Sequence, residues 1–414
     1  MTSNEWIETS LGDEVELITG FPFKSDRFTE ERDSVRLLRG DNVGQGALRW
    51  NGAKRWPSDS AADFDAYLLR ERDVIVAMDR PWIEAGLKYA SVRHGDLPCL
   101  LVQRVARLRA RAGLDQAFLS ALVASPAFTA HILSVQTGTA VPHVSADQIA
   151  AFRFLKPPLG EQRRIAGVLG TLDDKIEHNR RTAARLDALA ALLFTSALST
   201  EDGGWTEVNV NDVATVNELS HSTRSHPSEI EYVHISTVAP REILATFRLS
   251  FAEAPSRARR VVRAGDTIVS TVRPERRAMA FVPQASDCLT ASTGFAVVSP
   301  GDVAPTFLYR VVTSDACIEH LASSASGSAY PAVNPDVLGN WHFKMPPDGG
   351  KGYEAVTRPI EDLRWLLLEE NRRLAAVRET LLPKLLSGAI RVPESYGPDD
   401  SLGAATEGAG VVLS

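Results

Sequence analysis

Residues 118–158 read FLSALVASPAFTAHILSVQTGTAVPHVSADQIAAFRFLKPP, and residues 307–347 read FLYRVVTSDACIEHLASSASGSAYPAVNPDVLGNWHFKMPP. The two stretches align without a gap at a constant offset of 189, with about fifteen identities in the 41 pairs. Phe118 matches Phe307, Gly138 matches Gly327, and Pro157-Pro158 matches Pro346-Pro347. Upstream, ERDVIVAMDRP (71–81) matches AGDTIVSTVRP (264–274), each a turn, a β-rich apolar run and a polar loop closed by Arg-Pro. More weakly, WIETSLGDEVELITG (6–20) pairs with WTEVNVNDVATVNEL (205–219), and LLRGDNV (37–43) with YVHISTV (232–238). The chain is therefore duplicated. Each copy has short strands early and helices late, with loops expected around Gly138 and Gly327.

A long charged segment follows each copy. In 161–198, Ile165, Leu169, Leu172, Ile176, Leu186, Leu189 and Leu193 recur mostly at three- and four-residue steps. That is the narrow stripe of a helix packed on another helix. At 1.5 Å per residue it would reach roughly 55 Å. In 353–390, Asn371-Arg372-Arg373 repeats Asn179-Arg180-Arg181. Pro359 is expected in the first turn of that helix, Pro383 near its end, and Gly388 as its C-terminal stop. The two helices are expected to pair antiparallel; the alternative is that each packs on its own module. The fold class expected is α+β, with two pseudo-repeated modules, small, mixed or β-rich with helices, joined by two long antiparallel coiled-coil helices. The boundaries are 1–157 and 201–347 for the modules, 158–200 and 348–391 for the helices, and 392–414 for a disordered tail.

Composition places the chain among soluble globular proteins, with 44% hydrophobic and 23% charged residues. No apolar run is expected to span a bilayer, and the N-terminus has no secretory pattern. Cys99, Cys288 and Cys317 form no CxxC pair, as suits reduced thiols in a cytoplasmic protein. The net charge of -7 argues against non-specific attraction to nucleic acid, yet residues 257–277 hold seven arginines against Asp266 and Glu275. Residues 70–111 are also locally basic. Each basic stretch alone could be a solvated strand face; their recurrence in both copies favours a function.

No catalytic constellation emerges. There is no phosphate-binding glycine loop, no nucleophile elbow and no histidine pair at metal-ligand spacing. His131 and His320 are repeat-equivalent and read as structural. The Pro-Pro pairs follow Lys156 and Met345, so no methyltransferase motif is present.

The pattern resembles the specificity (S) subunit of type I restriction-modification systems. The resemblance rests on WIETSLGDEVELITGFPFKSDRF with LLRGDNV, on GTAVPHVSADQIAAFRFLKPPLGEQRRIAGVLGTLDDKI, and on the second copy's GSAYPAVNPDVLGNWHFKMPP and ENRRLAAVRETLLPKLLSGAI. It covers about residues 6–391. The second copy departs from it in having DGGKGYEAV where the first has the Glu-Gln pair.

That resemblance implies a non-catalytic reader of double-stranded DNA. Two target recognition domains would read unlike half-sites of an asymmetric bipartite site, and the spacer helices would set the gap. Two modification (methyltransferase) subunits, which bind S-adenosylmethionine, and ATP- and Mg-dependent restriction subunits would assemble on it. No cofactor and no metal is expected in this chain, and a prokaryotic cytoplasm, at the nucleoid, is its expected place. Heads about one helical turn of B-DNA apart, roughly 34 Å, would face successive major grooves. The candidate DNA contacts are Lys24, Arg39, Arg80, Trp82, Lys88, Arg93, Thr137, Thr139 and His143 in the first module. In the second they are Arg241, Arg273, Arg276, Arg277, Ser326, Ser328, Tyr330 and Asn334. Arginine suits guanine and Asn suits adenine, though at least half of such contacts go to phosphate. Arg80 and Arg273, each before a repeated proline, could equally be structural. Rival readings are the recognition arm of another phage-defence complex and a two-headed protein-binding scaffold.

Overall fold

The computed structural model describes residues 5–31, 33–138, 141–199, 204–327 and 331–395. It divides into two compact units, Met1–Asp174 with Ala376–Ser414, and Lys175–Ala375. Each holds one module and part of both long helices.

In the first unit the entry strand Ile7–Ser10 pairs antiparallel with the exit strand Arg153–Lys156, so the module closes on itself. Ser10 caps the short helix Leu11–Glu14 by accepting from the Asp13 N–H. A five-stranded sheet follows in the order Val15–Thr19, Val105–Ala110, Val74–Ala77, Tyr89–Ser91 and Gln45–Gly46. Val74 to Ala77 are all buried, as a continuous apolar run requires. A second sheet sets Val35–Leu38 parallel to Cys99–Leu101, with Arg55–Trp56 on its other edge. The second unit repeats this plan. Thr206–Asn209 pairs with His342–Met345. Ala214–Val216, Phe295–Pro300, Thr267–Ser270 and Met279–Phe281 form one sheet. Glu229–Val233 lies parallel to Leu289–Ser292 in the other. The weak sequence pairings at 6–20 and 37–43 thus mark equivalent elements; the central strand pairings recur, while the larger sheets have five and three strands in the first unit and four each in the second.

Each aligned stretch opens with two helices and carries a third, short one, Ala146–Ala150 in the first and Pro335–Gly339 in the second. Gln116–Val123 is capped by Asp115, and Pro126–Val135 starts at Ser125 with proline at its first position. Pro305–Val312 and Asp315–Ser324 break at the equivalent Ser314, whose hydroxyl accepts from the Cys317 N–H.

The long helices run Leu159–Ser199 and Lys351–Leu386. Within the second unit they are antiparallel: Lys175 meets Glu370 at 3.2 Å, and the Tyr353 hydroxyl donates to the Ala190 carbonyl at 2.8 Å. Within the first unit Asp173 meets Arg378 at 2.6 Å, and Glu161 takes both Arg391 contacts at 2.8 Å. The buried seam of the first helix follows strict heptad steps through Gln162, Ile165, Leu169, Ile176, Asn179, Ala183 and Ala190. Leu189, expected in the stripe, is exposed, and Ala190 takes its place. Asn179 and Asn371 face each other across the seam, Nδ2 donating to Oδ1 at 3.0 Å.

Three expectations change and one holds. Pro359 is exposed in the third turn of its helix, which begins at Lys351. Gly388 does stop that helix, at a φ of +75°. The expected disordered tail starts too early at 392, because Val392 is buried against the first core; residues 396–414 lie outside the described ones. One 18-residue window of the first long helix reaches a mean hydropathy of 1.2, enough for a membrane span by length and composition. Its apolar surplus lies at Leu189, Leu192 and Leu198, outside the seam.

Candidate nucleic-acid interface

The Arg-Pro corner that the repeat singled out is a defined structure in both units. In the first, strand Val74–Ala77 runs into Met78, Asp79 and Arg80, and Arg80 turns the chain with a φ of +44°. A strap crosses this corner. The Arg80 N–H donates to the Pro142 carbonyl at 2.7 Å, and the Val144 N–H to the Met78 carbonyl at 2.9 Å. Thr137 and His143 exchange two backbone hydrogen bonds at 2.8 and 2.7 Å, closing a narrow loop around Gly138 at φ +90°. In the second unit Arg273 has a φ of +50° and donates to Pro331 at 2.8 Å. Val333 donates to Thr271, and Ser326 and Ala332 exchange two bonds, all at 2.9 Å. Gly327 has a φ of +105°.

Bulky residues with positive φ are strained and need a reason. Among the described residues the non-glycine ones are Arg72, Arg80, Arg104, Asn217, Arg241, Arg273 and Arg277, so six of the seven are arginines. Arginine gains nothing at such a position that glycine would not give more cheaply. What it adds is a long cation held at a sharp bend.

The side chains on the two corners differ. In the first, the Asp79 carboxylate accepts from His143 Nδ1 at 2.6 Å and lies 3.7 Å from Arg104. The backbone partners of the second corner are Val272 and Ala332. Beyond the first corner a hairpin, Trp82–Ile83 with Gly86–Leu87, leaves Trp82 and Ile83 exposed. Beyond the second, Pro274–Arg276 forms a short turn of helix with Arg276 exposed and Arg277 paired to Asp315 at 2.6 Å.

The expected contact residues therefore sort. The corners bring together Arg80, Thr137 and His143, with Trp82 two residues beyond, in one unit, and Arg273, Arg276, Arg277 and Ser326 in the other. Lys24 is exposed, and Arg39 lines a separate cleft with Phe23, Phe28, Lys54 and Gln103. Arg93 caps the short helix His94–Asp96, away from the corner in the chain. Three expected contact residues are engaged within the chain. Lys88 is a buried strand-edge residue, its ammonium pushed below its ordinary range by burial. Arg241 pairs with Asp187 at 3.0 Å, and its carbonyl accepts two N–H groups of Arg364. Asn334 uses its side chain to cap the helix Pro335–Gly339. Thr139, Ser328 and Tyr330 lie outside the described residues. His131 Nε2 lies 2.7 Å from the Gln148 carbonyl, a structural contact. Among the described residues no three His, Cys, Asp or Glu side chains gather as a metal site. Asp79 and Arg104 were missed as site residues. The signal available was the substitution of Asp79 by Val272 inside a matched block.

Residues 4–187 match the family model described as the type I restriction modification DNA specificity domain. The chain is 35% identical over 198 residues to the type I restriction enzyme EcoAI specificity subunit of Escherichia coli, a match covering 46% of this chain and 33% of that one. It is 28% identical over 184 residues to the MjaVIII specificity subunit of Methanocaldococcus jannaschii, covering 44% and 43%. The matched stretch thus spans less than two thirds of either relative. In fold the chain is similar to the type I restriction-modification S subunit from M. genitalium. The TM-score is 0.55 at 13% identity, over 93% of this chain and 97% of that one.

Proposed function

We propose that this chain, a member of the type I restriction-modification specificity family, reads double-stranded DNA with its two modules, one half-site each. The observation that carries this reading is the recurrence of one strained arginine corner, pinned by the same strap, beneath unlike side chains. A common frame with different surfaces suits an asymmetric bipartite site: the frame places a cation at the backbone, and the neighbouring side chains choose bases. The target recognition domains are taken as 1–157 and 201–347. Segments 158–200 and 348–391 set the gap between the half-sites and carry two methyltransferase subunits, with restriction subunits joining them. The chain is non-catalytic. Its partners bind S-adenosylmethionine, ATP and Mg, and the assembly works in the cytoplasm at the nucleoid.

The test is methylome sequencing of cells expressing the chain with its neighbouring methyltransferase subunit, against the methyltransferase alone. A new bipartite N6-methyladenine motif that requires this chain is the expected result. Absence of any motif from a soluble, associated pair would overturn the reading.

A further inference from the structure

The geometry points to His143 as a base-reading residue of fixed polarity, with Asp79 as the positioning residue that fixes it. This rests on the DNA-reading function proposed above. An ionised carboxylate is acceptor-only, so at 2.6 Å from Asp79 Oδ1 the His143 Nδ1 must carry the proton. In the neutral ring the second nitrogen, Nε2, is then a lone-pair acceptor. Asp79 is held in place from two sides. The strap fixes its backbone opposite His143, and Arg104 stands 3.7 Å from its carboxylate. The imidazole side chain is 29% exposed, so it is oriented on one edge and open on the other.

An acceptor presented beside a left-handed arginine selects a donor on the DNA. In the major groove the donors are the amino groups of adenine N6 and cytosine N4; guanine and thymine offer only acceptors there at O6, N7 and O4. His143 would therefore choose an amino base at one position of the first module's half-site. The second module has Val272 and Ala332 at the equivalent places, so this pair is not repeated there. The difference between the half-sites is thereby located at one point of the shared frame.

The proposal is tested first without DNA, on the full chain labelled with 15N-histidine and observed above the imidazole titration range. The His143 resonances are identified by their loss in His143→Ala. That variant reproduces the alanine which the second module's strap already carries, so the frame tolerates it. The expected result is an Nδ1-protonated ring in the native chain, reverting in Asp79→Ala to the Nε2-protonated form that free imidazole favours. An Nε2-protonated ring in the native chain would overturn the proposal.

The second arm selects duplexes from a randomised library with the full chain at low salt. Asp79→Ala and His143→Ala should each relax one base pair of one half-site by about tenfold and leave the other half-site intact. Unchanged selection in both variants would remove His143 from reading even if the tautomer is as expected. If the native chain selects no sequence at all while the tautomer is as expected, the DNA-reading function fails rather than the geometry, and the base-reading role falls with it.

Discussion

The first long helix meets its module through Ile165 and Leu169; the second meets its own through Thr357 and Glu361, the same seam positions at an offset of 192, with Arg364 beside them. The first base is apolar. Ile165 and Leu169 are buried with Phe118, Leu122, Leu382 and Leu385. The second base is ionic. Glu361, 2% exposed, accepts from Arg310 at 2.6 Å and from Arg364 at 3.0 Å, and Arg310 also reaches Asp187 at 2.9 Å. Beside it Thr306 and Thr357 share a hydrogen bond of 2.7 Å. Duplication has kept the backbone and exchanged the physics. An apolar base is non-directional and tolerates small rotations. A buried charge network is satisfied in one geometry only, and its members cannot be removed singly.

The largest expected effect comes from breaking that network. Glu361→Ala leaves Arg310 and Arg364 buried without a carboxylate and should cost about 3–5 kcal/mol, read as lost hydrogen-exchange protection across 305–324. Replacing Arg310, Glu361 and Arg364 together by leucine, which gives the second base the chemistry of the first, should restore that protection. Failure of the triple variant to do so would mean the two bases are not interchangeable. Leu169→Ala opens a cavity in the first base and should cost about 3 kcal/mol, confined to exchange in 116–135. Converting both Asn179 and Asn371 to leucine should raise thermal stability by about 1 kcal/mol or more and broaden the oligomeric state seen by light scattering, because a polar seam pair fixes register. An unchanged, purely monodisperse species would show that register is set elsewhere.

The smallest effect concerns acid. Backbone N–H groups of Gly352 and Gly350 hold the Asp348 carboxyl below its ordinary value, at the start of the second long helix. A lowered folded value means that its contribution is present above the ordinary aspartate range, near pH ~4, and is lost as pH falls through it. Melting between pH ~6 and ~3 should therefore be slightly less acid-sensitive in Asp348→Asn.

The duplication and the paired helices were legible because both are periodic. The seam was misplaced at one point because alanine does not register as apolar in a leucine stripe; Ala190 is fully buried while Leu189 is 45% exposed. The corner was legible as Arg-Pro, but its strain was not, since nothing in the letters marks a left-handed arginine. Asp79 and His143 lie 64 positions apart. Their contact depends on the strap, which only the folded chain brings across. The surroundings of Arg241 and Lys88 were hidden for the opposite reason: a basic residue in a polar stretch gives no sign that it is buried or ion-paired.

The left-handed arginines also bear on how this protein can be improved. Where the first unit has Arg72 at a φ of 69°, the second has Gly265 at 93°, so the fold accepts glycine at such a bend. Removing a strained side chain stabilises by about 1 kcal/mol. A library screened only for heat resistance would drift toward glycine at Arg80 and Arg273. Its most robust winners would have discarded the two cations proposed to meet DNA, so under that proposal ranking variants by melting temperature would favour the ones that have gone blind.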